Sequence, residues 1–220
     1  MNFDFHCHTT ASDGSLAPSD LINLALEREI DMLSITDHDT LEAYKTLGDL
    51  GAKLQLVPGI ELSSQWNRRG VHIVGLNVDI NSSAIQEAVE RQSKSRQDRA
   101  DIIAERLARL GFADCLEGAK SFAGGPQVGR PHFAQHLVAI GAVANVQQAF
   151  KRYLGTGKVG DVKDQWAEPD TVIGWIRDAG GVAVLAHPTK YKLTRSKLVA
   201  LIAAFKAMGG QAIEVISGAQ

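Results

Sequence analysis

The chain has 220 residues, 45% of them hydrophobic, and a formal net charge of −2. It can bury a sizeable core, as one domain or one domain with an insertion, and it is too near neutral for a global nucleic-acid or membrane binder, so anion recognition must come from local clusters. Cys7 and Cys115 sit in no paired metal spacing and suggest no disulfide framework; with no signal-peptide pattern and no apolar run near the ~18 residues of a membrane span, the expected location is the cytoplasm.

In chain order, Met1 to Phe5 reads as a strand leading into His6-Cys7-His8. Apolar residues at Leu21, Ile22, Leu24, Ala25 and Leu26 predict a helix over 20–30, with Pro18 in a first-turn position. A strand is predicted over 31–36, with Leu33 and Ile35 apolar, ending on Asp37-His38-Asp39. A helix follows over 40–50, with Asp39 or Thr40 as its cap. Further strands are expected over 54–62, closing near Gly59-Ile60-Glu61, and over 71–78, with His72 near its start. From 83 to 110 the pattern is helical without strands, followed by shorter helices over 130–140 and 146–153 and a loop over 155–161 holding Gly155, Gly157 and Gly160. Alternation then resumes: a helix over 170–178, a strand over 182–186 ending on His187-Pro188, a helix over 196–208 and a strand over 211–216.

Such alternation implies an α/β fold of parallel strands with outer helices, as a barrel or a doubly wound sheet. Residues 1–82 and 166–220 would form the strand-bearing body, and 83–165 a helical insertion over the strand ends. Chemistry in these folds collects at strand C-terminal ends. His6 and His8 follow the first strand, His38 the second, Glu61 closes the third and His187 follows a late one. In an extended strand His6 and His8 point the same way and Cys7 the other. Paired imidazoles suit a divalent metal, and nearby carboxylates add the harder oxygen ligands. Read singly, His72 is an ordinary strand histidine.

The ordered set His6-x-His8, Asp13, Thr36-Asp37-His38-Asp39, Gly59-Ile60-Glu61, His72, Gly129-Arg130-Pro131-His132 and Ala186-His187-Pro188 resembles the polymerase and histidinol phosphatase (PHP) family of metal-dependent phosphoesterases. The resemblance spans nearly the whole chain. The helical stretch and the Gly-Arg-Pro-His piece are most similar to a subgroup that removes the 3′-phosphate of 3′,5′-nucleotide bisphosphates, with close relatives that trim short RNA from the 5′ end. The likeness implies a distorted seven-stranded β/α barrel and up to three divalent metals, Mn²⁺ first and Fe²⁺, Zn²⁺ or Mg²⁺ as alternatives. It implies His6, His8 and Glu61 at one metal, Asp13 with His38 at a second, and Glu61, His72 and His187 at a third, with Glu61 bridging. The family also places an Asp-x-His near its C-terminus, and no such motif precedes Gln220. The expectation is a shortened chain lacking its last strand, with weaker binding at the first two metal positions.

A hydroxide generated at such a site would attack phosphorus in line, and the leaving oxygen needs a proton, for which His132 is the catalytic candidate. Asp37 and Asp39 are expected to orient His38 or cap the next helix. Basic residues crowd 91–163. Arg106 and Arg109 read as a solvated face, whereas Arg99, Arg130, His132, Lys158 and Lys163 are expected to hold a second phosphate, Lys158 from a glycine-rich loop whose amides can approach an anion. The expected partner is a nucleotide bisphosphate, with short 5′-phosphorylated RNA as an alternative, and no obligatory protein partner. Histidinol phosphatase is a further alternative, against which the basic loop argues, as is a non-catalytic metal-binding module.

Overall fold

In the computed structural model, which describes residues 1–48, 54–125, 127–162 and 166–215, the strands sort into two sheets. β1 (Phe3–Cys7), β2 (Met32–Ile35) and β3 (Gln55–Leu56) pair in parallel. Parallel neighbours need long crossovers. These contain α1 (Pro18–Glu27) and α2 (Glu42–Thr46). Ile22, Ala25 and Ala43 close over Leu33, Ile35 and Leu54 as a small core. Pro18 opens α1, where its missing N–H costs no helical bond. Asp39 and Thr40 do not cap α2. Its N-cap is Leu41, and Thr40 Oγ1 merely accepts the Glu42 N–H.

The second sheet departs from the expectation of uniformly parallel strands. The stretch 54–62 is not one strand, because Pro58 has no N–H to give a ladder. After it the chain starts again as β4 (Gly59–Trp66) and turns straight back as β5 (Arg69–Leu76), antiparallel. β6 (Val182–Leu185) adds antiparallel to β5, and β7 (Ala212–Ile213) parallel to β6. Glu61 is therefore the third residue of β4, not the close of a strand, and His72 lies inside β5. A parallel bridge between His38 and Glu61 joins the two sheets. Gly59 allows that approach, since a Cβ there would stand 2.2 Å from Ser34 Oγ. Among the described residues the ladders do not close into a barrel.

α3 (Ser83–Ala108) spans about 39 Å at 1.5 Å per residue. Ser82 caps it, its hydroxyl accepting the Ile85 N–H. Ile85 and Ala88 join the main core with β4, β5, β6, α7 (Pro169–Asp178) and α8 (Arg195–Ala207). Ile103 and Leu107, on the same stripe, join a second core with α4 (Cys115–Lys120), α5 (Arg130–Ala139) and α6 (Val146–Ala149). Between the cores that stripe carries Gln92, Arg96 and Arg99, at helical spacing on one face. The polar window faces the site. Among the described residues no helix is long and apolar enough to cross a membrane.

Candidate metal centre and anion pocket

Glu61 is the hub. Its side chain is wholly buried, because β4 runs between the two sheets. Oε2 faces His6 Nε2 at 3.3 Å, His8 Nε2 at 3.2 Å and His38 Nδ1 at 3.1 Å. Oε1 faces His72 Nδ1 at 3.0 Å and His187 Nε2 at 2.9 Å. Asp13 stands 3.9 Å from His8 Nδ1 and 3.8 Å from His38 Nε2. All seven sequence-predicted ligands thus converge, although Glu61, His72 and His187 lie 53 or more residues from the first pair. Their donor atoms form three groups able to hold an ion: His6/His8/Glu61, His8/Asp13/His38 and His38/Glu61/His72.

The donor set fits a divalent cation on its own chemistry. Glu61 Oε2, His6 Nε2 and His38 Nδ1 are buried and have no hydrogen-bond partner, despite standing close together. Buried polar atoms are almost always satisfied, and leaving a buried carboxylate oxygen bare is costly. Two donors sharing one ion at about 2.1 Å each, at angles of about 90–110°, stand roughly 3.0–3.4 Å apart. The Glu61 distances match that spacing closely. Burial pushes the Glu61 carboxyl up, but the surrounding imidazoles, His38 and His72 foremost, outweigh it and hold it well below the usual carboxylate range. Burial also drives His38 well below the usual histidine range, which keeps its ring neutral with one nitrogen free to ligate.

A ring of buried groups fixes these side chains. Glu214 Oε2 stands 3.1 Å from His6 Nδ1 and accepts the His187 N–H at 2.6 Å, which turns Nε2 of His6 toward Glu61. Asp37 does not touch His38. It takes the Thr9 N–H and hydroxyl and the Ser12 hydroxyl, at 2.7, 2.6 and 2.5 Å, and so fixes the loop that presents Asp13. Asp39 likewise points away from His38. It accepts from the Ser63 N–H and hydroxyl, from Gln92 Nε2, and from Arg96 Nε and Nη2. Asp39 (φ 54°) and His187 (φ 27°) both sit in the left-handed region, where non-glycine residues are strained and where functional sites store such strain.

The cluster opens into a cavity of about 1170 Å³ that Arg96, Arg99, Arg130, His132 and Lys158 also line. Arg99 is 8% exposed, its Nε has no partner, and burial together with Arg130 and Arg96 pulls its pKa to about 9. Crowded, half-paired guanidiniums of this kind ask for an anion. Arg96 and Arg99 both lie over the Trp166 ring, at 5.3 and 5.4 Å from its centroid. Arg130 donates to the Leu154 carbonyl and stands over Phe150. That anchor is a π-helical turn, Phe150–Leu154, a rare geometry frequent at functional sites. His132 Nδ1 accepts the Gly129 N–H at 3.1 Å at the start of α5, and burial lowers its pKa, so the ring is neutral with its proton on Nε2.

Arg96, Trp166 and Glu214 are residues that the sequence reading did not place in the site. Arg96 carried a signal, since it shares a helical face with Ile85, Ala88 and Leu107. Arg106 is not on a purely solvated face but donates to the Val159 carbonyl, whereas Arg109 pairs with Glu105 in the open. Lys163 lies outside the described residues.

An acid-and-imidazole cluster at a sheet junction, beside a cationic cavity, defines a metal-dependent hydrolase of phosphate esters as a class. Residues 4–154 match the PHP domain model, and the chain belongs to that family. It is 42% identical over 217 residues to the 5′-3′ exoribonuclease Rnm of Escherichia coli, covering 97% of this chain and 74% of that protein. It is 39% identical over 220 residues to the 3′,5′-nucleoside bisphosphate phosphatase of Chromobacterium violaceum, covering 99% and 77%. Among solved structures it resembles an amidohydrolase from Chromobacterium violaceum with bound sulfate, with a TM-score of 0.88 and 38% identity over 97% of this chain and 76% of that one.

Proposed function

We propose that this chain hydrolyses the 3′-phosphate of nucleoside 3′,5′-bisphosphates, such as adenosine 3′,5′-bisphosphate, to a nucleoside 5′-monophosphate and phosphate. One observation carries the reading. The Glu61 cluster and the Arg96/Arg99/Arg130 group line one cavity, so a ligand with two phosphates satisfies both at once. A single-phosphate amino alcohol would leave the arginines uncompensated, which weighs against histidinol phosphate. The bisphosphate phosphatase among the relatives supports the same choice.

In this reading His6, His8 and Glu61 hold one cation, Asp13 and His38 a second, and Glu61, His72 and His187 a third, with Mn²⁺ preferred over Fe²⁺, Zn²⁺ or Mg²⁺. Bound there, divalent cations lower the pKa of water and neutralise charge on phosphoryl oxygens. His132 is the catalytic residue of the protein itself, its neutral ring donating an Nε2–H hydrogen bond to the departing 3′-oxygen, which takes its proton from water. Arg99, Arg130 and Lys158 grip the 5′-phosphate. Residues 83–165 form a cap with its own core, although Ile85 and Ala88 also pack into the body, residues 1–82 and 166–220. The two sheets joined at His38 and Glu61 are two arcs of the family's distorted seven-stranded barrel. The cytoplasm suits its free cysteines.

Chelated protein reloaded with Mn²⁺ should release phosphate from adenosine 3′,5′-bisphosphate. Arg130→Ala should raise KM for the bisphosphate by about 10–100-fold, the worth of a charge-assisted hydrogen bond, and leave KM for a simple phosphate monoester within about twofold. Equal damage to both substrates would overturn the second-phosphate assignment. The same centre also suits 5′-3′ cleavage of short 5′-phosphorylated RNA, a reading favoured by the size of the cavity and by the exoribonuclease among the relatives.

A further inference from the structure

The cavity is larger than most small-ligand pockets. Small-ligand pockets run to about 300–1,000 Å³, and this one measures about 1170 Å³. One side of its wall is made by two turns: the β4–β5 turn at Asn67 and Arg68, with Arg69 beside it, and the turn over 188–192, through Lys190, Tyr191 and Lys192. Both lead straight from the metal centre. Arg69 precedes His72 on β5 by three residues, roughly 10 Å along a strand, and Lys192 follows His187 by five. Arg69 Nη1 donates to the Tyr191 carbonyl at 2.8 Å, and the Tyr191 hydroxyl accepts the His72 N–H at 2.8 Å. The two turns are therefore locked to each other and to a proposed ligand.

Their chemistry is cationic and their backbone is strained. Neither 67–70 nor 188–192 contains an acid. Arg68 has φ 60° and Lys192 φ 52°, the left-handed region that glycine occupies at least cost. A two-residue hairpin turn with both φ values positive favours Asn-Gly. This chain has the Asn and then keeps a long cation where glycine would fold best, and does so again at Lys192. Strain held in that way points to function. Next to the turn, a smaller pocket of about 170 Å³ is lined by Trp66 and Leu193 together with Asn67, Arg69 and Lys197, an aromatic residue for a base to stack on among further cations.

We propose that these two turns form a phosphate track for single-stranded nucleic acid, carrying the 3′ continuation of a 5′-phosphorylated strand beyond the phosphate at the metal centre. The direction of the strand rests on the phosphoesterase reading; the existence of the track does not.

The test is equilibrium binding, by fluorescence anisotropy in EDTA so that nothing is cleaved. The probes are 3′-labelled, 5′-phosphorylated oligoadenylates of two and six nucleotides, with adenosine 3′,5′-bisphosphate as competitor. Wild type should bind the hexamer at least tenfold tighter than the dimer. Arg68→Gly with Lys192→Gly, exposed positions outside the catalytic machinery, should erase that gain and leave bisphosphate affinity within twofold. The slope of log affinity against log salt for the hexamer should shrink by about 1.4, two contacts at ~0.7 each. Glycine relieves the left-handed backbone at both positions, so the variant should melt no lower than wild type. Length-independent binding by wild type, or a variant that binds the hexamer like wild type or weakens every ligand alike, overturns the track. Absence of phosphate release from the bisphosphate in a separate Mn²⁺ assay would sink the reading above and leave this result standing.

Discussion

Asp39→Asn asks whether one buried carboxylate ties the metal centre to the anion pocket. Asp39 has no exposed surface and receives five donors: Ser63 N–H and hydroxyl at 2.7 Å each, Gln92 Nε2 at 3.0 Å, and Arg96 Nε at 2.7 Å and Nη2 at 2.5 Å. A carboxylate has about four lone-pair sites, all engaged here, whereas an amide has one oxygen and an NH₂ group. Whichever way the Asn turns, its NH₂ meets donors: Ser63 N–H and Gln92 on one side, Arg96 on the other. Arg96, 11% exposed, is left without its counter-charge. Breaking a buried pair by removing one partner costs about 3–5 kcal/mol. At about 2–4 °C per kcal/mol for a chain of this length, the melting temperature should fall by roughly 6–20 °C. Thermal unfolding followed by circular dichroism reads the shift directly. Arg96→Met added to Asp39→Asn should recover part of it, because the stranded cation is gone. KM for the bisphosphate should rise in the single variant while bound metal per chain, measured by atomic absorption, holds. A melting temperature within about 2 °C of wild type would refute the argument, given that the cost of an uncompensated buried charge could not then be hidden.

Two further outcomes follow from local geometry. Glu214→Ala removes the group that orients His6 and takes the His187 N–H, and should weaken metal binding by about 10–100-fold in a chelator competition titration, with the melting temperature of the metal-loaded protein falling at limiting metal. Gly118→Ala places a Cβ 2.1 Å from the His136 ring, which has a buried, unpartnered Nε2, and should cost about 1–3 kcal/mol in urea unfolding through overpacking, despite the better helix propensity of alanine.

The two kinds of period in the sequence carried different parts of the structure. Alternation put His6 and His8 on one side of β1 with Cys7 on the other, where its thiol donates to the Ser34 carbonyl. The 3.6 period drew α3 nearly to its ends. β4 escaped because its apolar run stops at Leu62 while the strand continues through Ser63, Ser64 and Gln65, polar residues buried with partners of their own. Ser63 serves Asp39, and Ser64 donates to the Ala167 carbonyl. Those partners lie far away in the chain, so nothing local announces them. The hairpin escaped for a related reason: its turn reads Asn-Arg, and the usual signal is Asn-Gly. Arg96 and Arg99 were visible as cations, yet only the packing at both ends of α3 shows that they occupy its inward stripe.

The segment Asp37-His38-Asp39 sends three consecutive side chains to three destinations. Asp37 fixes the loop bearing Asp13, His38 faces Glu61, and Asp39 holds Arg96 on α3. Regular strand alternation would return residue 39 to the face of residue 37. The left-handed backbone at Asp39 breaks that alternation and turns its carboxylate toward β4 and α3. One strained residue at the exit of β2 thereby fixes the place of Arg96 relative to the metal cluster. In a bisphosphatase that separation sets which pairs of phosphates can be engaged together. Selectivity then depends on how β2 ends rather than on a freely mobile cap, because α3 cannot shift by much without parting Arg96 from Asp39, at the cost of a buried ion pair.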